Sequence, residues 1–292
     1  MRVLVTGARG RVGSRVLAAA QASGHRATAT DIGTPAYGPP ERAGEAPYVR
    51  ADLTDYGQAI ATVLRVRPDV VVHTAGLPDP AHDPAHVVFA TNVTATFNIA
   101  EAVARAGVRR LINLSSETVP GFVTAERPFV PDYLPVDEEH PLRPQDGYAL
   151  SKYVSEVICD ALVRRADVSA VSVRPSLVVS PEMYPTFVAM MQQAPLRPFP
   201  NQWSYVDSED LADLLVLAAA ADTTGHEVVY AAQPDNLLGR PLAELLAAAY
   251  GAAAPPLRTL DRPDAGGISI ARARELFGWD PQRSWRDHLQ AS

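Results

Sequence analysis

Val3-Leu4-Val5-Thr6-Gly7-Ala8-Arg9-Gly10-Arg11-Val12-Gly13 decides how the chain is read. Val3 to Val5 is a short apolar run of the kind a fully buried strand carries, and from Val12 the apolar residues Val16, Leu17 and Ala20 recur at helical spacing. Glycines stand between the two segments at positions 7, 10 and 13. A strand that turns straight into a helix leaves the first helical N–H groups unpaired and the positive dipole end exposed. A pyrophosphate can settle there once side chains are out of its way. The spacing is Gly-x-x-Gly-x-x-Gly, not the Gly-x-Gly-x-x-Gly of the commonest dinucleotide fingerprint. Its place directly after a strand makes it read as a cofactor turn built from Gly7, Arg9, Gly10, Arg11, Val12 and Gly13.

Further along, His25 to Asp31 reads as a second strand ending in an acid, roughly 20 residues beyond the glycines, where a carboxylate accepts hydrogen bonds from the adenosine ribose and repels a 2′-phosphate. That favours NAD over NADP. Arg9 and Arg11 act in the opposite sense, because a guanidinium pairs with such a phosphate. Residues 33–47 form a turn-rich loop. Tyr48 to Leu53 is a third strand, whose Asp52 either faces the adenine or caps the helical segment beginning at Thr54. A fourth strand, Asp69 to Gly76, ends in small residues, Thr74, Ala75 and Gly76, as expected where a cofactor backbone crosses strand ends. A helix over Val87 to Ala106 carries Asn92, and a fifth strand, Leu111 to Leu114, runs into Ser115-Ser116-Glu117. Strands alternating with helices at this spacing imply right-handed crossovers and an α/β fold with a doubly wound parallel sheet. Ligands bind at the carboxyl ends of such strands, so Gly7, Asp31, Thr74 and Ser116 are expected along one edge.

Residues 120–147 hold six prolines and little periodicity, and read as a long ordered loop. The chain then reaches Tyr148-Ala149-Leu150-Ser151-Lys152, opening a helix on which Tyr148 and Lys152, four apart, share a face. Of 26 basic side chains, 25 are arginine and one is lysine, and the lysine is Lys152. An ammonium is compact and its proton affinity is easily tuned, whereas a guanidinium is a broad fork that stays charged. Beside a phenol, the ammonium favours the phenolate and is expected to draw the Tyr148 pKa toward neutrality, as a general base for an alcohol requires.

Composition narrows the function classes. The chain has 292 residues, 47% hydrophobic and 20% charged, enough for one large α/β domain or a main domain with a small appendage. A net charge of −7 with no basic run disfavours nucleic acid and anionic membranes as partners. Cys159 is the one cysteine, so no internal disulfide forms, and His82 and His86 have no third ligand in sequence reach, so no metal is expected. No signal peptide precedes the first strand and no apolar run approaches the ~18 residues of a membrane span, so a cytoplasmic protein is expected. Charges at Arg109-Arg110 and Arg164-Arg165 read as solvated faces.

The Thr-Gly-x-x-Gly-x-x-Gly turn, Asp31, Asp52-Leu53, Ser115-Ser116 and Tyr148-x-x-x-Lys152 resemble the extended short-chain dehydrogenase/reductase family, also called NAD-dependent epimerases/dehydratases. Arg174-Pro175 after a sixth strand, the segment Trp203 to Asp210 and the stretch Ala273 to Pro281 resemble it too, so the likeness covers nearly the whole chain. The resemblance implies a Rossmann-type sheet over residues 1–176, with 205–230 returning to it, and a small substrate-binding domain from 177–204 and 231–292. It implies a catalytic triad of Ser116, Tyr148 and Lys152. Ser116 is preferred to Ser115 because the family's catalytic hydroxyl stands five residues before a glycine matching Gly121. Leu53, Asn92 and Pro175 join the cofactor contacts, Ser115, Glu117 and Asn201 are candidate substrate contacts, and a homodimer is expected.

Departures from the family pattern bear on substrate. Family dehydratases carry an Asp-Glu pair directly after the catalytic hydroxyl, where this chain has Glu117-Thr118, so dehydration is not expected. Nucleotide-sugar members often carry an arginine six residues before the aspartate matching Asp207, where this chain has Asn201. The expectation is an NAD-dependent oxidoreductase acting on the secondary alcohol or carbonyl of a small sugar, sugar acid or related polyol. The alternatives are a nucleotide-sugar epimerase and a non-catalytic NAD-sensing protein.

Overall fold

Side chains of the first strand, β1 (Arg2–Thr6), alternate between two buried clusters: Val3 and Val5 pack with Val72, Ile112, Val171 and Val173, and Leu4 packs with Val71, Leu111 and Ala170. Period-2 alternation with both sets buried is what a strand covered on both faces must show. A computed structural model describes residues 1–34, 46–79, 81–193 and 196–288; most of the turn-rich loop over 33–47 lies outside the described residues.

The remaining elements in chain order are α1 (Arg11–Ala22), β2 (Arg26–Asp31), β3 (Tyr48–Arg50), α2 (Tyr56–Val66), β4 (Val70–His73), α3 (Ala85–Ala106) and β5 (Arg110–Leu114). Then come α4 (Gly147–Arg165), β6 (Ser169–Pro175), β7 (Val178–Val179), α5 (Tyr184–Gln193), β8 (Val206–Asp207), α6 (Ser208–Ala220), β9 (His226–Ala231), α7 (Leu242–Tyr250) and α8 (Ala271–Phe277). Seven strands form one parallel sheet in the order β3-β2-β1-β4-β5-β6-β9, and β7 pairs with β8 in a separate two-stranded sheet. Helices α1 and α6 cover one face through Val16, Leu211, Leu214 and Leu215. The other face is covered by α2, α3 and α4 through Val63, Ile99, Val103 and Leu162. This is the Rossmann-type fold, with the strand order reversing between β1 and β4. Each such side chain contributes roughly 1.5–3 kcal/mol on burial.

Three sequence readings are corrected. The 22-residue α3 contains a window of mean hydropathy 1.3, long and apolar enough to cross a membrane, but half of that window is buried inside the fold. Its buried polar residues Asn92, Thr96 and Asn98 bond inside the protein, as a core helix requires. Arg110 is 3% exposed, not a solvated charge, because it donates to Ser169 Oγ at 2.8 Å and to the carbonyls of Ala218, Ala221 and Thr223, which close the end of α6. Asp52 does not cap a helix from Thr54: the cap of α2 is Asp55, accepting from Gln58 N, while Asp52 Oδ1 holds the backbone N and hydroxyl of Thr54.

Candidate functional site

The carboxyl ends of β2, β1, β4, β5 and β6 place Asp31, Gly7, Thr74, Ser116 and Pro175 along one edge of the sheet. Gly7 takes φ +64°, and a Cβ there would stand 2.7 Å from the Ala75 backbone. A Cβ on Gly13 would stand 2.1 Å from the Gly7 carbonyl oxygen, so the turn closes only with glycine at both positions. The N-terminus of α1 has Gly10 as its cap, with no side-chain hydrogen bond to its first N–H groups. That leaves donors and dipole facing out of a cradle a side chain would fill, and a pyrophosphate fits it.

Asp31 fixes this turn: Oδ2 accepts from Arg9 N at 3.0 Å and Oδ1 from Gly33 N at 3.1 Å. The Arg9 guanidinium reaches the Thr34 carbonyl and Arg11 reaches that of Val178. Val12 is partly buried against the core, and Leu53 is buried with its carbonyl accepting from Asn98 Nδ2.

Beneath the reversal point lies a buried relay that sequence reading missed. Thr96 Oγ1 donates to the Asn92 carbonyl, so it accepts from His73 Nε2 (3.3 Å), leaving Nδ1 to accept from the Thr6 hydroxyl (2.8 Å). Thr6 Oγ1 in turn accepts from Ala75 N. Burial, with the charge of Lys152 adding to it, lowers the His73 pKa to about 3, so the ring is neutral. Asn92 stands at the end of β4: Oδ1 accepts from Leu77 N at 2.7 Å and Nδ2 donates to Ser151 Oγ, tying that strand end to α4. Thr74 is anchored by its own hydroxyl to the Thr6 carbonyl, and Gly76 leaves room for Asn92.

Asp146 caps α4 by accepting from Tyr148 N and Ala149 N, both at 2.9 Å, which sets Tyr148 in the first turn. Lys152, one turn on, donates from Nζ to the strand-end carbonyl of Leu114 at 2.8 Å and stands 5.8 Å from the Tyr148 ring centroid. Burial lowers the Lys152 pKa to about 8 against the pull of Glu156. The expected fall of the Tyr148 pKa toward neutrality is not seen. Burial raises it to about 12, and contact with the Ser116 hydroxyl opposes the rise, while the ammonium is turned to Leu114. At neutral pH Tyr148 therefore holds its proton.

Ser116 faces Tyr148, and its Oγ accepts from the Thr118 N–H and hydroxyl at 3.2 and 3.1 Å. Ser115 is turned away, donating to Glu156 Oε1 at 2.5 Å. Glu156 is locked to Arg174 in a buried ion pair at 2.7 Å, so the Ser115 hydroxyl is spent inside the fold. Glu117 and Asn201, 84 residues apart, meet: Asn201 Nδ2 donates to Glu117 Oε1 at 3.3 Å, and Ser176 donates to Oε2 at 2.6 Å. Burial raises the Glu117 pKa to about 8 against these donors, and its charge is close enough to Tyr148 to disfavour the phenolate. Asn201 begins a turn through Gln202 (φ 56°) and Trp203 (φ 59°), closed by Ser204 N on the Asn201 carbonyl. Each left-handed residue costs about 1–3 kcal/mol. Burial of Trp203 and the Gln202 to Tyr250 hydrogen bond offset this.

Ser176 and Thr118 were not singled out from sequence; Ser176 follows a strand end, the signal that marked Ser116. Two surface hollows, of about 450 and 340 Å³, lie at the opposite edge of the sheet near His25 and Gly107 and touch none of these residues. Among the described residues no three His, Cys, Asp or Glu side chains are grouped to hold a metal.

A reversing parallel sheet with a glycine cradle at the end of β1, and a tyrosine and lysine at the end of β5, defines a dinucleotide-dependent enzyme. The chain belongs to the NAD dependent epimerase/dehydratase family, which matches residues 3–231. The family is NAD-dependent, and the cofactor of this chain is NAD. A UDP-glucose 4-epimerase from Mycolicibacterium smegmatis is 27% identical over 97% of this chain and 94% of its own. A 3-diazoavenalumate denitrifying reductase from a Streptomyces species is 31% identical over 99% of both. A uronate dehydrogenase from Pseudomonas syringae pv. tomato is 28% identical over 78% of this chain and 73% of its own.

Proposed function

We propose that the protein is an NAD-dependent oxidoreductase acting on the secondary alcohol or carbonyl of a small sugar, sugar acid or related polyol, with Ser116, Tyr148 and Lys152 as its catalytic residues. The cofactor-binding residues in this proposal are Gly7, Arg9, Gly10, Arg11, Val12, Gly13, Asp31, Asp52, Leu53, Thr74, Ala75, Gly76, Asn92, Tyr148, Lys152 and Pro175. NAD, when bound, supplies the hydride acceptor. Tyr148 exchanges the proton of the reacting hydroxyl, Ser116 holds its oxygen, and Lys152 supplies positive charge beside them.

The observation that carries net oxidoreduction is Asn201, which stands where nucleotide-sugar members often carry an arginine and whose amide nitrogen donates to Glu117 and the Ser204 carbonyl. An epimerase must hold a keto intermediate while it turns over, and a nucleotide diphosphate gripped by arginine is a useful pivot. Three arginines of the second half of the chain are committed elsewhere: Arg258 to Asp137, Arg283 to Asp210 and Asp213, Arg286 to Asp235 and Asp264. The reductase and dehydrogenase relatives favour the same reading, the epimerase relative its alternative. Residues 1–176 and 205–230 form the cofactor lobe in this reading, 177–204 and 231–292 the substrate lobe. Exposed Phe97 on α3, with Leu150 and Val157 on the adjoining α4, supports a homodimer through these helices.

The test is to incubate the protein with excess NAD and a panel of sugars, sugar acids and alcohols while following reduced nicotinamide. Stoichiometric NADH supports the dehydrogenase. Inversion of a nucleotide sugar with no accumulation of NADH overturns it.

A further inference from the structure

We infer that the substrate enters beside Glu117 with an uncharged hydroxyl that donates to Asn201 Oδ1, and that this pole of the site excludes carboxylate and phosphate groups. The inference rests on the oxidoreductase reading and narrows its substrate class to neutral polyhydroxy compounds.

Asn201 is 4% exposed, and its Oδ1 is buried without a hydrogen-bond partner. The amide cannot be turned over to relieve this. Its nitrogen donates at 2.9 Å to the Ser204 carbonyl, which only accepts, so exchanging the two ends would set oxygen against oxygen. The unmet atom is therefore an acceptor, and only a donor satisfies it. A buried acceptor left unpaired is costly, so a ligand or a water must supply that donor. The Ser204 hydroxyl, in the same turn, is also buried and unpartnered.

Location ties this acceptor to the chemistry. Asn201 bonds to Glu117, Glu117 follows Ser116 in the chain, and the Glu117 carboxyl lies within electrostatic reach of the Tyr148 phenol. A substrate whose reacting oxygen is held by Ser116 and Tyr148 thus presents its neighbouring carbons to Glu117 and Asn201. The carboxyl oxygens of Glu117 are already served by Ser176 and Asn201. Among the described residues, no arginine or lysine bonds to either Glu117 or Asn201. An anionic group set against Asn201 Oδ1 would meet its lone pairs with no bonded cation to offset them, whereas a hydroxyl donates to that oxygen and accepts from the unpartnered Ser204 hydroxyl. A site built to pair a hydroxyl also discriminates strongly against groups that cannot donate.

The experiment compares matched pairs, D-glucose with D-glucuronate and D-galactose with D-galacturonate, by NADH formation and by thermal shift of the NAD-loaded protein. The expected result is that a neutral sugar has at least about ten times the kcat/KM of its uronate, and stabilises the protein where the uronate does not. Asn201→Ala should raise KM for the neutral sugar at least about tenfold with kcat changed much less. Should Asn201→Ala fail to fold, the wild-type pairs decide alone. A uronate preferred by wild type overturns the inference, as does an unchanged KM in Asn201→Ala, which would assign the acceptor to a buried water. If no compound yields NADH, the oxidoreductase reading fails separately, and the inference is decided by the thermal shift. There, stabilisation by the neutral sugar upholds it, and stabilisation by the uronate or by neither overturns it.

Discussion

Gly13→Ala should lower both stability and NAD affinity, although alanine ordinarily favours a helix. Gly13 lies inside α1, where the exchange gains about 1 kcal/mol in propensity. Against that, the new Cβ would stand 2.1 Å from the Gly7 oxygen, 2.7 Å from the Gly7 carbonyl carbon and 2.8 Å from Thr74 Oγ1. Two of those atoms are backbone, and Gly7 cannot retreat because its own α-carbon faces the Ala75 backbone. Overpacking of this kind costs about 1–3 kcal/mol and more where backbone must move. The net loss is therefore about 2 kcal/mol or more, a Tm lower by about 4–8 °C, on the scale for domains of this order of size. Gly10→Ala provides the contrast, since its Cβ would meet only the Gly7 oxygen at 3.1 Å. Gly10→Ala should hold its Tm within about 2 °C while weakening NAD at least about tenfold, because the methyl intrudes on the cradle and not on the fold. Differential scanning fluorimetry and calorimetric titration with NAD read both quantities. A Gly13→Ala protein that melts higher than wild type, or a Gly10→Ala protein that binds NAD unchanged, would refute the reasoning.

Tyr148→Phe should cut turnover at least about a hundredfold while leaving the NAD dissociation constant within a few-fold, and Lys152→Met should weaken both; steady-state rates and titration separate the two, and a Phe variant retaining a tenth of wild-type rate would remove Tyr148 from proton transfer. With the Lys152 pKa lowered to about 8, its charge is complete below that pH and lost above it. The kcat/KM for carbonyl reduction should accordingly fall as pH rises through 8, and Lys152→Arg, though slower, should lack that limb. His73, held neutral with its pKa lowered to about 3, takes up a proton on unfolding below pH 6.5, so stability is lost as pH falls through that range. At pH 4.5 the loss from this group is about 3 kcal/mol; urea unfolding at pH 7 and 4.5 should show a smaller difference in His73→Asn than in wild type.

The sheet and its working edge were legible because strand, glycine turn and helix are local signals: Val3 to Gly13 needs no distant partner to be read. The Tyr148 and Lys152 pair was legible for the same reason, being four apart on one helix in a chain otherwise without lysine. What the sequence hid depends on which way a side chain turns. Ser115 and Ser116 are neighbours, yet one closes on Glu156 and the other on Thr118 and Tyr148, a choice made by the strand end and not by the residue type. Arg110 looked solvated because its partners are carbonyls at the end of α6, more than a hundred residues away. The sense of the Tyr148 shift was misread because spacing places the ammonium near the phenol but says nothing of the Leu114 carbonyl that takes it, nor of the burial that outweighs it.

The central claim, that the chain carries out net oxidoreduction, is tested most directly with a substrate deuterated at the reacting carbon, followed by NMR of both substrate and free nicotinamide cofactor. For a compound identified in the panel, the account predicts deuterium in the reduced cofactor released to solution, in proportion to keto or lactone product formed. Deuterium that stays in the sugar while the configuration at that carbon inverts, with no reduced cofactor released, would contradict it.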